Sequence, residues 1–558
     1  MQKHSIARAV AGARWNPRDG LIGGDQGLWL DPSDLTTLFQ DSAGSTPVTA
    51  VEQPVGLILD KSKGLVLGPE LVTNGNFSTS DLTGWAGNAG IVVESNELKV
   101  TANTINDVAY YTISVTAGKI YKWTWDARLG TATDLKYTVY NASSPGYLIG
   151  ITSYSAGSNT ISILIPAGCT SIRIYPHATG TTGTRYFDNI SVKELPGNHA
   201  FQSTSANRPT LSARYNLLTK TEDFSDVAWG VTSGVTFPGG VATFASSSYR
   251  YQTISVGLSI QNRTFSTRVK LHSPNGKATI VLRIAGSVAT TDESTLVVNL
   301  TSTPTVYTLT RTFTSTDTSV VIGLDNRAVE GGDGIAGGVV ATEWDFRSTA
   351  ESSSIPAYQR VNTATDYDSD ATKFPWYLKF NGTSSSLQTA SINFTATDKM
   401  FVSAGVRNIT RGSYNVLAEL SSTVNTNNGT FSLFTWHQDL SANALFQSKA
   451  TLTSNAFSTD TSFNPPKTFV FTSIGDTAGT PNDTALVRLN GTQASISTAD
   501  QGTGNYGNYP LYIGARAGTS LFFNGYLYQL VICGRPTAVP IDQITRTEEF
   551  VNRKTKAY

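Results

Sequence analysis

At 558 residues the chain is longer than one hydrophobic core organises, so several domains of about 100 to 200 residues each are expected. Lys plus Arg number 41 and Asp plus Glu number 41, a net charge of zero that excludes a global electrostatic draw toward nucleic acid or an anionic membrane. Hydrophobic residues at 39%, with 9 Trp, 23 Tyr and 24 Phe, exclude a disordered chain, and the two distant cysteines, Cys169 and Cys533, exclude a disulfide framework or thiolate metal site.

In residues 1–18, Lys3, Arg8, Arg14 and Arg18 interrupt the apolar run and prevent a secretory h-region. No run reaches the roughly 20 apolar residues of a membrane span, so no membrane insertion is expected. Asp31 is expected to cap a short helix with Pro32 at its first position and Asp34 in its first turn, ending at Gln40. Residues 1 to about 50 have too little periodic apolar sequence for a core, so contact with other chains is expected to order them.

Beyond this arm the pattern has period two, as in Ile161, Ile163 and Ile165, in Ile172 and Ile174, and in Tyr526, Tyr528, Leu530 and Ile532. Asn381-Gly382 and Asn490-Gly491 are each expected to turn a tight hairpin. The fold class is therefore all-β, with tandem antiparallel sandwiches of jelly-roll type, an extended arm and short docking helices. One such helix follows Pro540, with Ile541, Ile544 and Val551 on one face. A weak repeat, Leu71 to Phe77 with Trp85 and Leu217 to Phe224 with Trp229, opens two stretches of about 120 residues, the size of a sandwich. The expected division is an arm at 1–64, a sandwich at 65–196, a return segment at 197–215, a second sandwich at 216–350, an acidic linker at 351–375 and a third module at 376–558.

Catalytic signatures are lacking, and no catalytic residue is assigned. His4, His177, His199, His272 and His437 are scattered, without a zinc pair, and there is no Gly-x-Ser-x-Gly elbow. Gly332 to Gly337 and Gly502 to Gly507 match the dinucleotide fingerprint, but neither opens a helix, and both read as loops. Asp366, Asp368 and Asp370 alternate like a calcium loop, but Ala371 stands where glycine is required and Tyr377 where the bidentate glutamate belongs. Among aromatics able to stack on sugar rings, Trp123 and Trp125 share a strand face and read as core. Trp85, Tyr506 and Tyr509 are taken as candidate glycan-binding residues, the two tyrosines on an exposed loop.

Three phrases resemble modules of tailed-bacteriophage virion proteins, notably tail fibres and appendages: Leu28-Trp-Leu-Asp-Pro-Ser-Asp-Leu-Thr-Thr-Leu-Phe-Gln-Asp41 with Pro54 to Ser62; Pro356-Ala-Tyr-Gln-Arg-Val-Asn-Thr-Ala-Thr-Asp366; and Leu378-Lys-Phe-Asn-Gly382 with Ala499 to Gly514. The last resembles a laminin-G or concanavalin-like domain. In that family Asp-Lys-Ser-x-Gly is soon followed by Asn-His-Ala, whereas here Asp60 to Gly64 and Gly197 to Ala200 are far apart. The resemblance thus implies a domain inserted into a loop, with 51–64 and 197–214 neighbours in space. The first sandwich is similar to carbohydrate-binding jelly rolls that hold a structural calcium, which implies Asn76 and Asp188 as ligands, although Ser78 replaces the usual acidic residue.

The resemblance implies a non-enzymatic virion component made in the bacterial cytoplasm, a tail fibre or receptor-binding appendage that attaches to host glycan. Its implied partners are other virion proteins through the arm and copies of itself, with a trimer favoured. The alternatives are a head or tail decoration protein without a ligand, and a polysaccharide depolymerase.

Overall fold

A computed structural model describes residues 15–18, 20, 25–257, 259–348, 358–410, 412–458, 465–479 and 483–558. It is all-β, with one helix of several turns, Ile541–Thr555, near its C-terminus. The third module does not fold from its own residues alone. Its first sheet runs, in spatial order, Thr210–Ser212, Tyr377–Asn381, Asn524–Arg535, Lys399–Asn408, Lys467–Asp476, Thr484–Leu489 and Thr492–Ser497, and Gln26–Leu30 also pairs with Asn524–Arg535. Its second sheet runs Leu38–Phe39, Leu57–Ile58, Ala200–Phe201, Leu387–Asn393, Asn508–Ile513, Tyr414–Leu420, Thr430–His437, Ala444–Lys449 and Thr453–Ser458.

Residues 26–58, read from the sequence as part of an arm ordered by other chains, are thus strands of this host jelly roll. Leu28 and Leu30 enter the core between its sheets, while Trp29 points the other way, beneath the C-terminal helix. Trp15 also leans edge-on against Phe550 of that helix, 6.0 Å between ring centroids. Residues 1–14, 19 and 21–24 of the expected arm lie outside the described residues. The helix expected from Asp31 to Gln40 is a single 3-10 turn, Leu35–Thr37, capped by Asp34 through the Thr36 N–H. It stops because Leu38 gains more by pairing with Ile58 and entering the core than by another helical turn.

Both sandwiches are inserted into this host. The first leaves after Ser62 and returns at Asn198, and the two crossings are tied by a buried knot. Asp60 accepts the backbone N–H of Trp29 (2.8 Å), Ser62 (2.8 Å) and Asn198 (2.7 Å), while its own N–H donates to His199 Nδ1 at 2.9 Å. Segments 51–64 and 197–214 lie side by side, with Ala200 opposite Ile58 and Thr210 bridged to Pro54. The second sandwich departs near Asn216 and returns at Gln359, whose buried carboxamide accepts the N–H of Tyr215 and Asn216 and donates to the carbonyls of Ala213 and Asp368. The expected acidic linker is therefore structure from residue 358 onward. Val361, Tyr367 and Phe374 pack on Tyr215, Tyr377 and Tyr528, and Asp366 pairs with Arg360 at 2.9 Å. Residues 349–357 lie outside the described residues.

The two sandwiches share one strand order, as their repeated opening phrase suggests. In the first, Gly146–Ser153, Lys136–Asn141, Ser171–His177, Ala109–Ser114 and Trp85–Gly87 form one sheet; in the second, Glu293–Asn299, Thr279–Gly286, Ser319–Asp325, Ala242–Ser255 and Val231–Thr236 follow the same path. Trp123 and Trp125 stack at 4.2 Å inside the first core, as their shared strand face implies.

Three local expectations change. Asn490-Gly491 turns a hairpin with φ of 50° and 80°, but Asn381-Gly382 joins strands of different sheets, with the Asn381 side chain accepting the N–H groups of residues 383 to 385. In Asn524–Arg535 a bulge at Tyr528 breaks the alternation, sending Tyr528 to the outer cluster and Leu530 and Ile532 to the core. On the C-terminal helix Ile544 and Val551 are buried, but Ile541 overhangs the sheet and is exposed.

Candidate functional site

Of the three sequence-derived glycan residues, Tyr506 and Trp85 are buried and Tyr509 is half-buried. Tyr506 is buried between the two host sheets, its hydroxyl sharing a 2.7 Å hydrogen bond with Ser448. Burial pushes its phenol pKa well up, and the absent side chain of Gly475 leaves the space its hydroxyl fills. Tyr509 lies half-buried against the same core, its ring folded over Gly507. Trp85 is buried between Phe77 and Tyr111, at 5.8 and 5.3 Å. The loop is exposed at Thr503 to Asn505 and at Asn508, as a run of Gly, Asn and Tyr suggests, but Tyr506 turns inward from it to close the end of the core.

The two residues expected as calcium ligands each accept a local backbone N–H. Asn76 Oδ1 accepts the Ser78 N–H at 3.4 Å, and Asp188 Oδ1 accepts the Asn189 N–H at 2.7 Å. Asp188 stands opposite Asp126 in register, and burial, with the charges of Glu97 and Asp126, raises its pKa. Among the described residues no group of three or more His, Cys, Asp or Glu side chains is arranged to hold a metal ion.

The open face of the first sandwich offers a different site. Alternation drives Ile172 and Ile174 into the core and leaves Arg173 and Tyr175 outward; in the neighbouring strand it buries Tyr111 and Ile113 and turns out Tyr110 and Thr112. In register, Tyr147 faces Tyr140, Tyr140 faces Arg173, and Arg173 faces Thr112, one row across four strands. Tyr147 is 62% exposed and meets Tyr140 edge-on at 5.5 Å. Tyr110 and Tyr175 lie 5.0 Å apart, and the Arg173 guanidinium stands 4.6 Å over Tyr110. The Tyr175 phenol, with Tyr110 and Tyr140, raises the already high pKa of Arg173, so it remains a cation. Among the described residues no carboxylate forms an ion pair with it. The alternation of Ile172 and Ile174 carried the sequence signal for the outward residues of their strand.

In the second sandwich the corresponding face is filled by its own side chains. Arg283 pairs with Glu293 at 2.5 Å, Arg327 pairs with buried Asp325, and the Tyr251 hydroxyl donates to the same carboxylate. The turn Ala328–Glu330 adds Glu330, 3.2 Å from Arg327, while Arg327 covers the ring of Tyr249 at 4.6 Å. The same strand order therefore gives one open aromatic face and one closed by an internal ionic network.

His177 ends one strand of the open sheet and is fully buried. Burial first, and then the nearby Arg185 charge, lowers its pKa from 6.5 to about 4. The unfolded chain takes up a proton that the folded one refuses, so this site leaves stability intact above pH 6.5 and removes it as pH falls from there to about 4. The loss is expected to total about 3 kcal/mol, at roughly 1.4 kcal/mol for each tenfold change in proton affinity. Hydrogen exchange in residues 120–129 and 171–177 across this range should report it, and His177→Leu should flatten the dependence.

No family model and no curated protein matches the chain. Among solved structures it is similar to the tandem CBM22 domain of Paenibacillus barcinonensis Xyn10C, at 11% identity and TM-score 0.21, over 50% of this chain and 98% of that one. The CBM40 of a Ruminococcus gnavus IT-sialidase, solved with α2,3-sialyllactose, gives 12% identity and TM-score 0.20 over 27% of this chain and 93% of that one. The enzymatically active domain of bacteriophage CBA120 tailspike protein 4 gives 12% and 0.18, over 23% of this chain and 21% of that one.

Proposed function

We propose that the protein is a non-catalytic subunit of a tailed-bacteriophage appendage, a tail fibre or receptor-binding protein, that holds host-surface glycan on the tyrosine face of its first sandwich. The carrying observation is the outward row of Tyr147, Tyr140 and Arg173 with Tyr110 and Tyr175 beside it. Flat phenol rings stack on the C–H faces of sugars at low entropic cost, and their hydroxyls serve sugar hydroxyls together with the Arg173 guanidinium, which has no carboxylate partner among the described residues. The second sandwich supplies the contrast, because its ring faces and charges are already satisfied internally.

The virion assignment rests on the three phrases that resemble phage appendage proteins. In this reading residues 1–18 attach the chain to the particle and copies associate, a trimer being the favoured state. Association matters because one sugar stack binds at roughly millimolar strength, and several linked copies raise avidity by orders of magnitude.

Tyr140→Ala combined with Tyr147→Ala is expected to weaken binding of the full chain to purified host polysaccharide at least tenfold, a loss of about 1.4 kcal/mol or more. Tyr249→Ala in the second sandwich should leave binding unchanged. Undiminished adsorption by correctly assembled particles carrying the double variant would overturn the reading and favour a decoration protein.

A further inference from the structure

Where the first sandwich meets the host there is a crevice of about 890 Å³, within the size range of ligand sites. Its floor is the outer face of the host's second sheet, and its roof is two loops of the first sandwich, residues 116–119 and 164–167. On the floor, Phe201 faces Gln388 and Gln388 faces Tyr512 in register, while Asn393 faces Asn508 beyond the intervening pair of Ser391 and Pro510. The row continues to Glu419, which is buried and held by Arg516 at 2.8 Å, so this acid projects no free charge into the crevice. From the roof comes Lys119, the only charged side chain in the lining among the described residues.

Many polar side chains elsewhere in the molecule are engaged by the protein. Here, among the described residues, no hydrogen bond or ion pair within the protein occupies the carboxamides of Gln388 and Asn508, the Tyr512 hydroxyl or the Lys119 ammonium. Carboxamides donate and accept at once, which matches the paired character of sugar hydroxyls. Half-buried Phe201, which also packs on the cluster of Leu57, Leu59, Ile120 and Leu195, and half-buried Tyr512 flank Gln388 in this row, and both rings line the crevice. Lys119 has Glu194 as the acid near it, and one cation suits a ligand bearing one carboxylate per contact while being too little for a nucleic-acid backbone.

We propose that this inter-module crevice is a second binding site, separate from the tyrosine face, for an acidic oligosaccharide whose carboxylate meets Lys119 and whose rings lie on Phe201 and Tyr512. Because both modules line it, the site exists only while the first sandwich is seated on the host.

The test is calorimetric titration of the full chain with trimers of galacturonate, glucuronate and mannuronate, each beside its neutral methyl ester. At least one uronate trimer should bind, with its ester at least tenfold weaker. Lys119→Gln should abolish that preference, and Tyr512→Ala should weaken the acid at least tenfold with the melting temperature unchanged. Tyr140→Ala combined with Tyr147→Ala should leave this binding intact, so failure here and failure of the tyrosine face are distinguishable. Absence of binding by every uronate trimer, equal binding of acid and ester, or binding unaffected by Lys119→Gln and Tyr512→Ala would each overturn the proposal.

Discussion

Asp60→Ala is expected to destabilise the host jelly roll by about 3 to 5 kcal/mol, the usual cost of removing one partner from a buried charged network. The side chain is fully buried and accepts from Trp29, Ser62 and Asn198, which belong to three separate stretches of chain. Alanine leaves those N–H groups without acceptors and without water. Charge-assisted hydrogen bonds of this kind are about twice as strong as neutral ones. Asp60→Asn, which keeps acceptor capacity and loses the charge, should cost less. Urea unfolding measures the loss, and hydrogen exchange should locate it in strands Gln26–Leu30, Leu57–Ile58 and Ala200–Phe201. A change below about 1 kcal/mol for the alanine variant would mean that Asp60 does not hold the first insertion in place.

The second large effect is expected at the other insertion. Gln359→Ala removes four hydrogen bonds at 2.7 to 3.0 Å and strands two N–H groups and two carbonyls beneath the second sandwich. The expected loss is about 2 to 4 kcal/mol, since each unsatisfied buried group costs roughly 1 kcal/mol or more. Gln359→Glu is a sharper variant, because its second oxygen would face the carbonyls of Ala213 and Asp368 in place of a donor. Both variants should raise proteolytic cleavage around residues 213–218 and 358–368 before the rest of the chain yields. Unchanged cleavage there would remove Gln359 from its role as the tie.

These two knots explain the phrases that stand out in the sequence. Asp60 with Asn198 and His199, and Gln359 with Asn216, sit where an inserted module leaves and re-enters the host, and their polar residues satisfy backbone groups that the interruption of a sheet would orphan. Alternation made the fold class legible, and the separated Asp60 and His199 phrases made the first insertion legible. The host strands at Leu38–Phe39, Leu57–Ile58 and Ala200–Phe201 were not legible, because two residues carry no period. Tyr506 was misplaced for a related reason: the space that receives it is set by Ser448 and Gly475, distant in sequence. The tyrosine face lies between these cases. Each of Tyr110, Tyr140 and Tyr175 follows from local alternation, but their convergence beside Arg173 needs the strand order.

The most direct measurement is amide hydrogen exchange of the full chain with and without purified host-surface polysaccharide. Glycan held on the tyrosine face should slow exchange in Ala109–Ser114, Lys136–Asn141, Gly146–Ser153 and Ser171–His177 and leave the corresponding strands of the second sandwich, Ser319–Asp325 and Thr279–Gly286, unchanged. Protection confined to the loop at residues 502–509, or to the second sandwich, would contradict the assignment.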